Sequence, residues 1–230
     1  MADSTWNAPA TRAIAQSESA PRHPLFVRVT HWLTFLSFLA LLVTGAEIVI
    51  SHPRFYWGDE GNPNTPALFE LPIPASRPWV NTGYPYVLPD QNGWSRSLHF
   101  QAAWLCVLTG LFYAIGGFTS RHFQTNLLPA RLAPAQTGDH TYNPLQRLTY
   151  LAVVFVLFPL MIWTGLAMSP ALAAGFPLLA TAVGGHQSAR TLHFFATLLL
   201  VLFVVGHVVM VWRAGFKQRV GAMITGGHAK

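Results

Sequence analysis

Four histidines lie within, or at the rim of, long apolar runs of the chain, where an ionisable side chain is costly and usually has a functional partner. They are His31, His99, His193 and His207. The other six of the ten histidines lie in loops, rims or tails, where a solvated imidazole is the ordinary interpretation. An imidazole among apolar residues can ligate a metal or carry a proton. These four side chains are therefore the first candidates for chemistry.

The elements that must position them are long apolar helices. Charged residues make up only 10% of the chain and hydrophobic residues 52%, which is typical of a membrane protein. Crossing a hydrocarbon core of about 30 Å takes about 20 helical residues, and four stretches are long enough: 32–50, 98–118, 148–168 and 192–212. The sequence predicts an all-α fold, a four-helix transmembrane bundle over residues 25–221, with an N-terminal segment 1–24 and a tail 222–230.

The lysines and arginines predict the orientation of the bundle. Ten of the fourteen lie before span one, between spans two and three or after span four, and four lie on the other side. Positive charge accumulates on the cytoplasmic side, so both termini are expected in the cytoplasm. The formal net charge of +6 then reflects topology and contact with anionic lipid in the bilayer, and gives no support for nucleic acid binding.

The predicted topology arranges the four histidines in two pairs. His193 and His207 are fourteen residues apart, which is about 21 Å of helical rise and nearly a whole number of turns. His31 is level with His207 near the inner surface, and His99 is level with His193 near the outer surface. Bis-histidine ligation within a helix bundle is a common way to hold an electron-transferring haem. Because Cys106 is the only cysteine, no covalent haem attachment is possible, and two haem b groups are expected.

Three arginines recur at a fixed distance before these histidines. Arg28, Arg96 and Arg190 each stand three residues before the histidine at the start of span one, two or four, in the pattern R-x-x-H. Residues at this spacing share a helix face, so each arginine would lie one turn nearer the water. A haem propionate would need a cation at that place. Arginines at membrane rims also serve topology and snorkelling.

Small residues provide a softer signal. Gly45 follows His31 by fourteen residues and Gly110 follows His99 by eleven, which places each glycine on the face of its histidine near the depth of the other haem. A glycine would let a flat macrocycle approach the helix, although close packing between helices explains it equally well. Span three has no histidine, and its Thr164 and Gly165 are expected to have a packing role.

The histidine spacing resembles that of bacterial cytochrome b-561 and of the membrane cytochrome b subunits of Ni/Fe hydrogenases, formate dehydrogenases and thiosulfate reductases. The resemblance covers about residues 24–221 and implies that His31, His99, His193 and His207 are haem ligands. The N-x-x-Q segment at the start of span three looks like one that borders a quinone site in such relatives, which makes Asn143 and Gln146 candidates. An ordinary helix start, with Asn143 as N-cap and Pro144 at the first position, fits the same residues.

The resemblance also implies a place and a partner. It suggests a multi-pass protein of the bacterial inner membrane that transfers electrons between the quinone pool and an external, periplasmic catalytic subunit. The long external segment 51–93 looks more like cytochromes paired with a molybdopterin oxidoreductase than with a hydrogenase; by itself it could be a docking surface or a mobile loop. Two alternatives stay open: a stand-alone quinol oxidase that reduces oxygen or superoxide, and a histidine-lined transporter.

Overall fold

The structure is a computed structural model that describes residues 23–62, 64–77, 80, 83–124 and 144–227, with the backbone alone for 144–147. Four of its helical stretches are long and apolar enough to cross a membrane, which confirms the predicted four-helix transmembrane bundle. In chain order the elements are α1 (Leu25–Ser51), β1 (Arg54–Phe55), β2 (Phe69–Glu70), α2 (Asn92–Thr119), α3 (Pro144–Ala152), a π-helical turn (Val153–Leu157), α4 (Phe158–Ala167), α5 (Pro170–Gly175), α6 (Leu178–Thr181), α7 (His186–Arg213) and α8 (Phe216–Thr225).

The helices extend beyond the apolar runs that predict them. Helix α1 begins at Leu25 rather than Trp32, and α7 begins at His186 rather than Leu192. A helix satisfies its own backbone hydrogen bonds, so it can continue through the polar interface after the apolar run has ended. The histidines near the helix starts consequently lie about two turns inside a helix. They are not at its frayed end.

Small residues at heptad spacing bring α1 and α2 together. The buried positions of α1 are Thr30, Ser37, Thr44 and Ser51, each seven residues after the last. Helix α2 buries Ser95, Ala102 and Thr109 at the same spacing of seven residues. Small side chains let two backbones approach closely where lipid provides no hydrophobic drive for association. The outward faces carry large apolar residues, such as Leu36 and Leu108, as expected of surfaces in contact with lipid.

The four spans form two closely packed pairs. Helix α1 packs along α2, and α4 packs along α7. Within the described part of the chain, neither α1 nor α2 makes a comparably extensive backbone contact with α7. The histidines of α1 and α2 nevertheless face those of α7. Side chains thus connect the two helix pairs where the backbones stay apart.

The third span is interrupted by a π-helical turn. Pro159 near the start of α4 has no backbone N–H, so the residue four positions earlier loses its usual helical partner. The preceding turn, Val153–Leu157, adopts π-helical geometry, which is a common adjustment at such a break. The described part of this span starts at Pro144.

The external segment is fastened to the bundle by hydrogen bonds. Strands β1 and β2 pair antiparallel, and Phe55 stacks on Phe69 with ring centres 4.6 Å apart. The hydroxyl of Thr191 donates to the carbonyl of Tyr56 at 2.7 Å, and the backbone N–H of Gly58 donates to the Ser188 hydroxyl at 2.8 Å. The residues from 52 to 59 therefore form a cap over the start of α7, which does not fit a mobile loop at this point.

Helix α8 closes the inner end of the bundle. The Trp32 indole N–H donates to the carbonyl of Met223 at 3.2 Å, so α8 lies against the start of α1. It runs from Phe216 to Thr225 and therefore passes the expected boundary at residue 222 between domain and tail. Residues 1–22 and 228–230, which belong to the predicted terminal segments, lie outside the described residues.

Candidate metal centres

The structure brings the four histidines together as two pairs, the pairs that the sequence predicts. The ring centres of His31 and His207 are 6.3 Å apart, and those of His99 and His193 are 6.4 Å apart. We call His99 and His193 the outer pair, because it lies on the side of the external segment, and His31 and His207 the inner pair. Fourteen residues of α7 separate the two pairs, which is about 21 Å along the helix.

This ring separation fits one metal ion between each pair. Two imidazoles bound on opposite sides of a metal have ring centres about 6.4 Å apart, since each metal–nitrogen bond is about 2 Å and each ring centre lies about 1.2 Å beyond its nitrogen. Rings in direct contact or bridged by a hydrogen bond have no reason to repeat this distance at two depths. Both ring separations are thus ones at which the two imidazoles would be able to hold a metal ion between them.

Each pair supplies two ligands and no more. Among the residues that the structure describes, no three histidine, cysteine or carboxylate side chains converge on one point. A transition metal held by two imidazoles needs further donors, and a porphyrin provides four nitrogens in the plane between them. The donor set of two facing imidazoles therefore fits a haem better than a bare metal ion.

Threonine hydroxyls hold the outer pair in place. The Oγ1 atom of Thr44 on α1 lies 2.9 Å from Nδ1 of His99, and Oγ1 of Thr164 on α4 lies 2.9 Å from Nδ1 of His193. Both threonines are fully buried. Each threonine has a glycine as its next residue, and an added Cβ on either Gly45 or Gly165 would lie 3.6 Å from Cε1 of the same imidazole.

Aromatic rings surround the inner pair instead. Phe203 stacks on His207 with ring centres 5.8 Å apart, Trp32 meets His31 edge-on at 5.2 Å, and the Tyr150 ring centre lies 6.5 Å from that of His207. The Nδ1 atoms of His31 and His207 are buried, and neither has a hydrogen-bond partner among the described residues. The two centres thus share ligand chemistry and differ in their surroundings.

The paired geometry agrees with the comparison to known proteins. Residues 22–226 match the family described as prokaryotic cytochrome b561. The chain belongs to this family. Cytochromes b bind haem b without a covalent bond, and membership identifies the chain as a membrane protein of electron transport. The resemblance drawn from the histidine spacing is confirmed, and a histidine-lined transporter no longer fits.

One curated relative matches over most of the chain. A protein of Azospira oryzae, which bears the provisional name protein-methionine-sulfoxide reductase subunit YedZ1, is 28% identical over 213 residues. The match covers 82% of this chain and 89% of the relative. No solved structure matches. The relative is thus a protein of about the same extent, named as a subunit of a methionine-sulfoxide reductase.

The three arginines of the R-x-x-H pattern have different surroundings. Arg28 donates from Nη1 to the carbonyl of Ile224 at 2.8 Å and so holds α8 against α1. Arg190 donates to the carbonyls of Arg54, at 2.9 Å, and His52, within the external cap. Arg96 is exposed. Their predicted contact with haem propionates stays a prediction, and two of the three also fasten neighbouring segments.

Arginines surround His52 at the outer rim of the bundle. Burial lowers the pKa of His52 below its ordinary value of 6.5, and the neighbouring cation of Arg190 lowers it further, while a hydrogen bond with the backbone of Ile48 opposes the shift. Carboxylates lie at the same rim: Arg54 pairs with Glu70 at 3.2 Å and Arg77 with Asp90 at 3.5 Å. The charges of these two arginines are therefore balanced within the external segment.

The remaining predicted residues differ in whether they lie near a histidine pair. Gly45 lies beside His99, at the depth of the outer pair, as the spacing predicts. Gly110 is exposed, and an added Cβ would meet no atom within 4 Å, so it is outside the α1–α2 packing stripe. Gln146 lies in the first turn of α3. Asn143 lies outside the described residues.

Sequence reasoning missed Thr44 altogether and assigned Thr164 to packing alone. Threonine is ordinary in membrane spans, and these two lie 55 and 29 residues from the histidines that they contact. The dipeptide Thr-Gly occurs in spans one, two and three, and only the first and third contact the outer pair. The dipeptide alone therefore does not identify the two threonines.

Proposed function

We propose that this chain is a di-haem cytochrome b that carries electrons between the quinone pool and an external oxidoreductase. The observation that supports it is the repeated geometry of two facing imidazole pairs, with ring centres 6.3 and 6.4 Å apart, at two depths of one bundle. A separation of about 21 Å between pairs places one in each half of a hydrocarbon core about 30 Å thick. Such a pair of centres connects the two membrane surfaces.

The residues of the chain have three tasks in this function. His31 and His207 ligate one iron, and His99 and His193 ligate the other. When bound, the haem irons supply one-electron oxidation and reduction. The small buried residues of α1 and α2 keep that helix pair rigid, and the outward leucines anchor the bundle in lipid. The protein therefore sets ligand identity, orientation and burial around each metal.

We place the quinone site at the inner end of the bundle, beside the inner pair. Position 146 precedes Tyr150 by one helical turn, and the ring of Tyr150 lies near His207. A polar side chain at the first turn of α3 would thus be near the inner centre. This supports Gln146 as a quinone-binding residue, and we propose Asn143, three residues before it in the sequence, as the second. A quinol oxidised there would release its protons toward the cytoplasmic side.

The partner that we propose is an external catalytic subunit on the side of the cap. The provisional name of the Azospira relative is that of a methionine-sulfoxide reductase subunit, which favours electron flow from quinol outward to a reductase. A molybdopterin oxidoreductase is the class that the long external segment suggests. The external segment presents exposed aromatic side chains, Trp57 in the cap and Tyr86 beyond it, which are residue types enriched at protein interfaces.

Reduction of the haems by quinol tests both the direction of electron flow and the place of the quinone site. The purified protein is mixed without oxygen with a short-chain quinol, and the b-type absorption bands are followed. Quinol should reduce wild type, and it should still reduce the inner haem of His193→Ala. Quinol should not reduce His207→Ala, although dithionite should still reduce the one haem that remains in it. Wild type that responds to dithionite and to no quinol would contradict the proposed quinone function.

A further inference from the structure

The hydroxyl protons of Thr44 and Thr164 already take part in hydrogen bonds within their own helices. Thr44 Oγ1 donates to the carbonyl of Ala40 at 2.7 Å, and Thr164 Oγ1 donates to the carbonyl of Leu160 at 2.7 Å. A hydroxyl has one proton and two acceptor lone pairs. Since the proton points back along the helix, the oxygen can only accept from the imidazole 2.9 Å away.

This direction fixes the tautomer of both outer histidines. If the threonine oxygen accepts, Nδ1 of His99 and of His193 must carry the proton. The Nε2 atom of each ring then has its lone pair free, which is the form of imidazole that binds a metal. Both threonines are completely buried, so within the span no exchange with bulk water competes for the contact.

The glycine after each threonine leaves space beside the ring. The Cβ that Gly45 or Gly165 lacks would stand 3.6 Å from Cε1 of the imidazole, an ordinary van der Waals distance. An alanine would therefore fit against the ring at either position. Thr-Gly thus provides a polar contact to Nδ1 and an open space beside Cε1, and it does so at both outer histidines.

We propose that Thr44 and Thr164 are positioning residues that hold the outer histidines in the iron-binding tautomer and lower the reduction potential of the outer haem relative to one without these contacts. An acceptor on Nδ1–H makes the imidazole a stronger donor to the metal, which favours the oxidised iron. The inner histidines have no such acceptor among the described residues. The inference rests on the proposed di-haem function and concerns the outer centre alone.

Potentiometric titration of Thr44→Val and Thr164→Val, followed by visible and electron paramagnetic resonance spectra, tests this. The outer haem is identified as the one missing from His193→Ala. Each valine variant should raise the midpoint potential of the outer haem and shift its low-spin ferric g values, with the inner haem unchanged. The double variant should shift further. Thr44→Ser and Thr164→Ser keep the acceptor and should stay near wild type.

Thr30→Val is the matched control. Thr30 is buried on α1 and donates to the carbonyl of Phe26 at 2.7 Å, like Thr44 to its own carbonyl, yet it contacts no outer histidine. The midpoint potential of the outer haem in Thr30→Val should equal that in wild type. If a valine variant loses the outer haem while its serine variant keeps it, the positioning role is supported by haem content instead.

Four results would overturn the inference. They are no change in the potential or g values of the outer haem in the valine variants, an equal change in both haems, serine variants that behave like the valine variants, and a shift of the outer-haem potential in Thr30→Val. Wild type without haem is a different result, because it would reject the di-haem function itself.

Discussion

At the scale of single residues, Arg190 illustrates how one side chain can serve the fold at a place where the sequence suggests a ligand contact. Its guanidinium donates to two backbone carbonyls of the external cap and lies over the ring of Phe55, with its central carbon 4.6 Å from the ring centre. A planar guanidinium offers five donors in a fixed geometry, so a contact with a propionate would have to use the others.

The capping role predicts a loss of local stability. Arg190→Gln should lower the free energy of unfolding by about 2 kcal/mol, because hydrogen bonds from a charged group contribute about 1.5–3 kcal/mol each and glutamine can replace one of the two. The measurements are the apparent Tm in detergent and the rate of proteolysis within residues 52–59.

Arg96→Gln is the comparison, since Arg96 occupies the same place in the R-x-x-H pattern and is exposed. It should leave both the Tm and the cleavage rate near wild type. If Arg190→Gln instead left the cap intact and changed only the potential or content of the outer haem, its main contact would be a propionate, and the capping account would be wrong.

The residue scale also shows what the sequence could predict. A histidine inside an apolar run is costly, so the four candidate histidines and their pairing by depth could be inferred from position and topology. The contacts of Thr44 and Thr164 could not, because a buried threonine usually satisfies itself on its own helix and nothing local identifies a partner on another. Such contacts depend on the rotation of each helix about its axis.

At the scale of elements, the stripe of small residues sets how α1 and α2 pack. Ser37 is 2% exposed and lies midway along the stripe, where its hydroxyl has no hydrogen-bond partner among the described residues. Close approach of the two backbones, and not a polar contact, is the reason for a small side chain here. Apolar runs predicted the spans, whereas the stripe within them was not recognised.

Enlarging this position should separate the helices. Ser37→Leu should destabilise the protein by about 1–3 kcal/mol, the usual cost of overpacking a tight interface. Ala46→Leu makes the same kind of change on an exposed face of α1 and should have little effect. Thermal unfolding of both variants in one detergent makes the comparison. Equal Tm values would show that the stripe is not a packing surface.

At the scale of the whole molecule, histidines face each other between the two helix pairs, α1 with α2 and α4 with α7. Helices α1 and α2 each provide one of the proposed ligands, α7 provides two, and α4 provides a threonine that contacts one of them. If each centre takes a ligand from either helix pair, as proposed, metal binding should hold the two pairs together. The orientation with both termini in the cytoplasm stays a prediction from the distribution of lysine and arginine.

The most direct test of the central claim is a count of haem per chain, by the pyridine haemochrome method, in purified wild type, His193→Ala and His207→Ala. Wild type should contain about two haem b groups, and each variant should keep about one, because each change removes one axial ligand from one centre. A colourless wild type, or haem content that neither substitution lowers, would contradict the assignment of the four histidines as ligands.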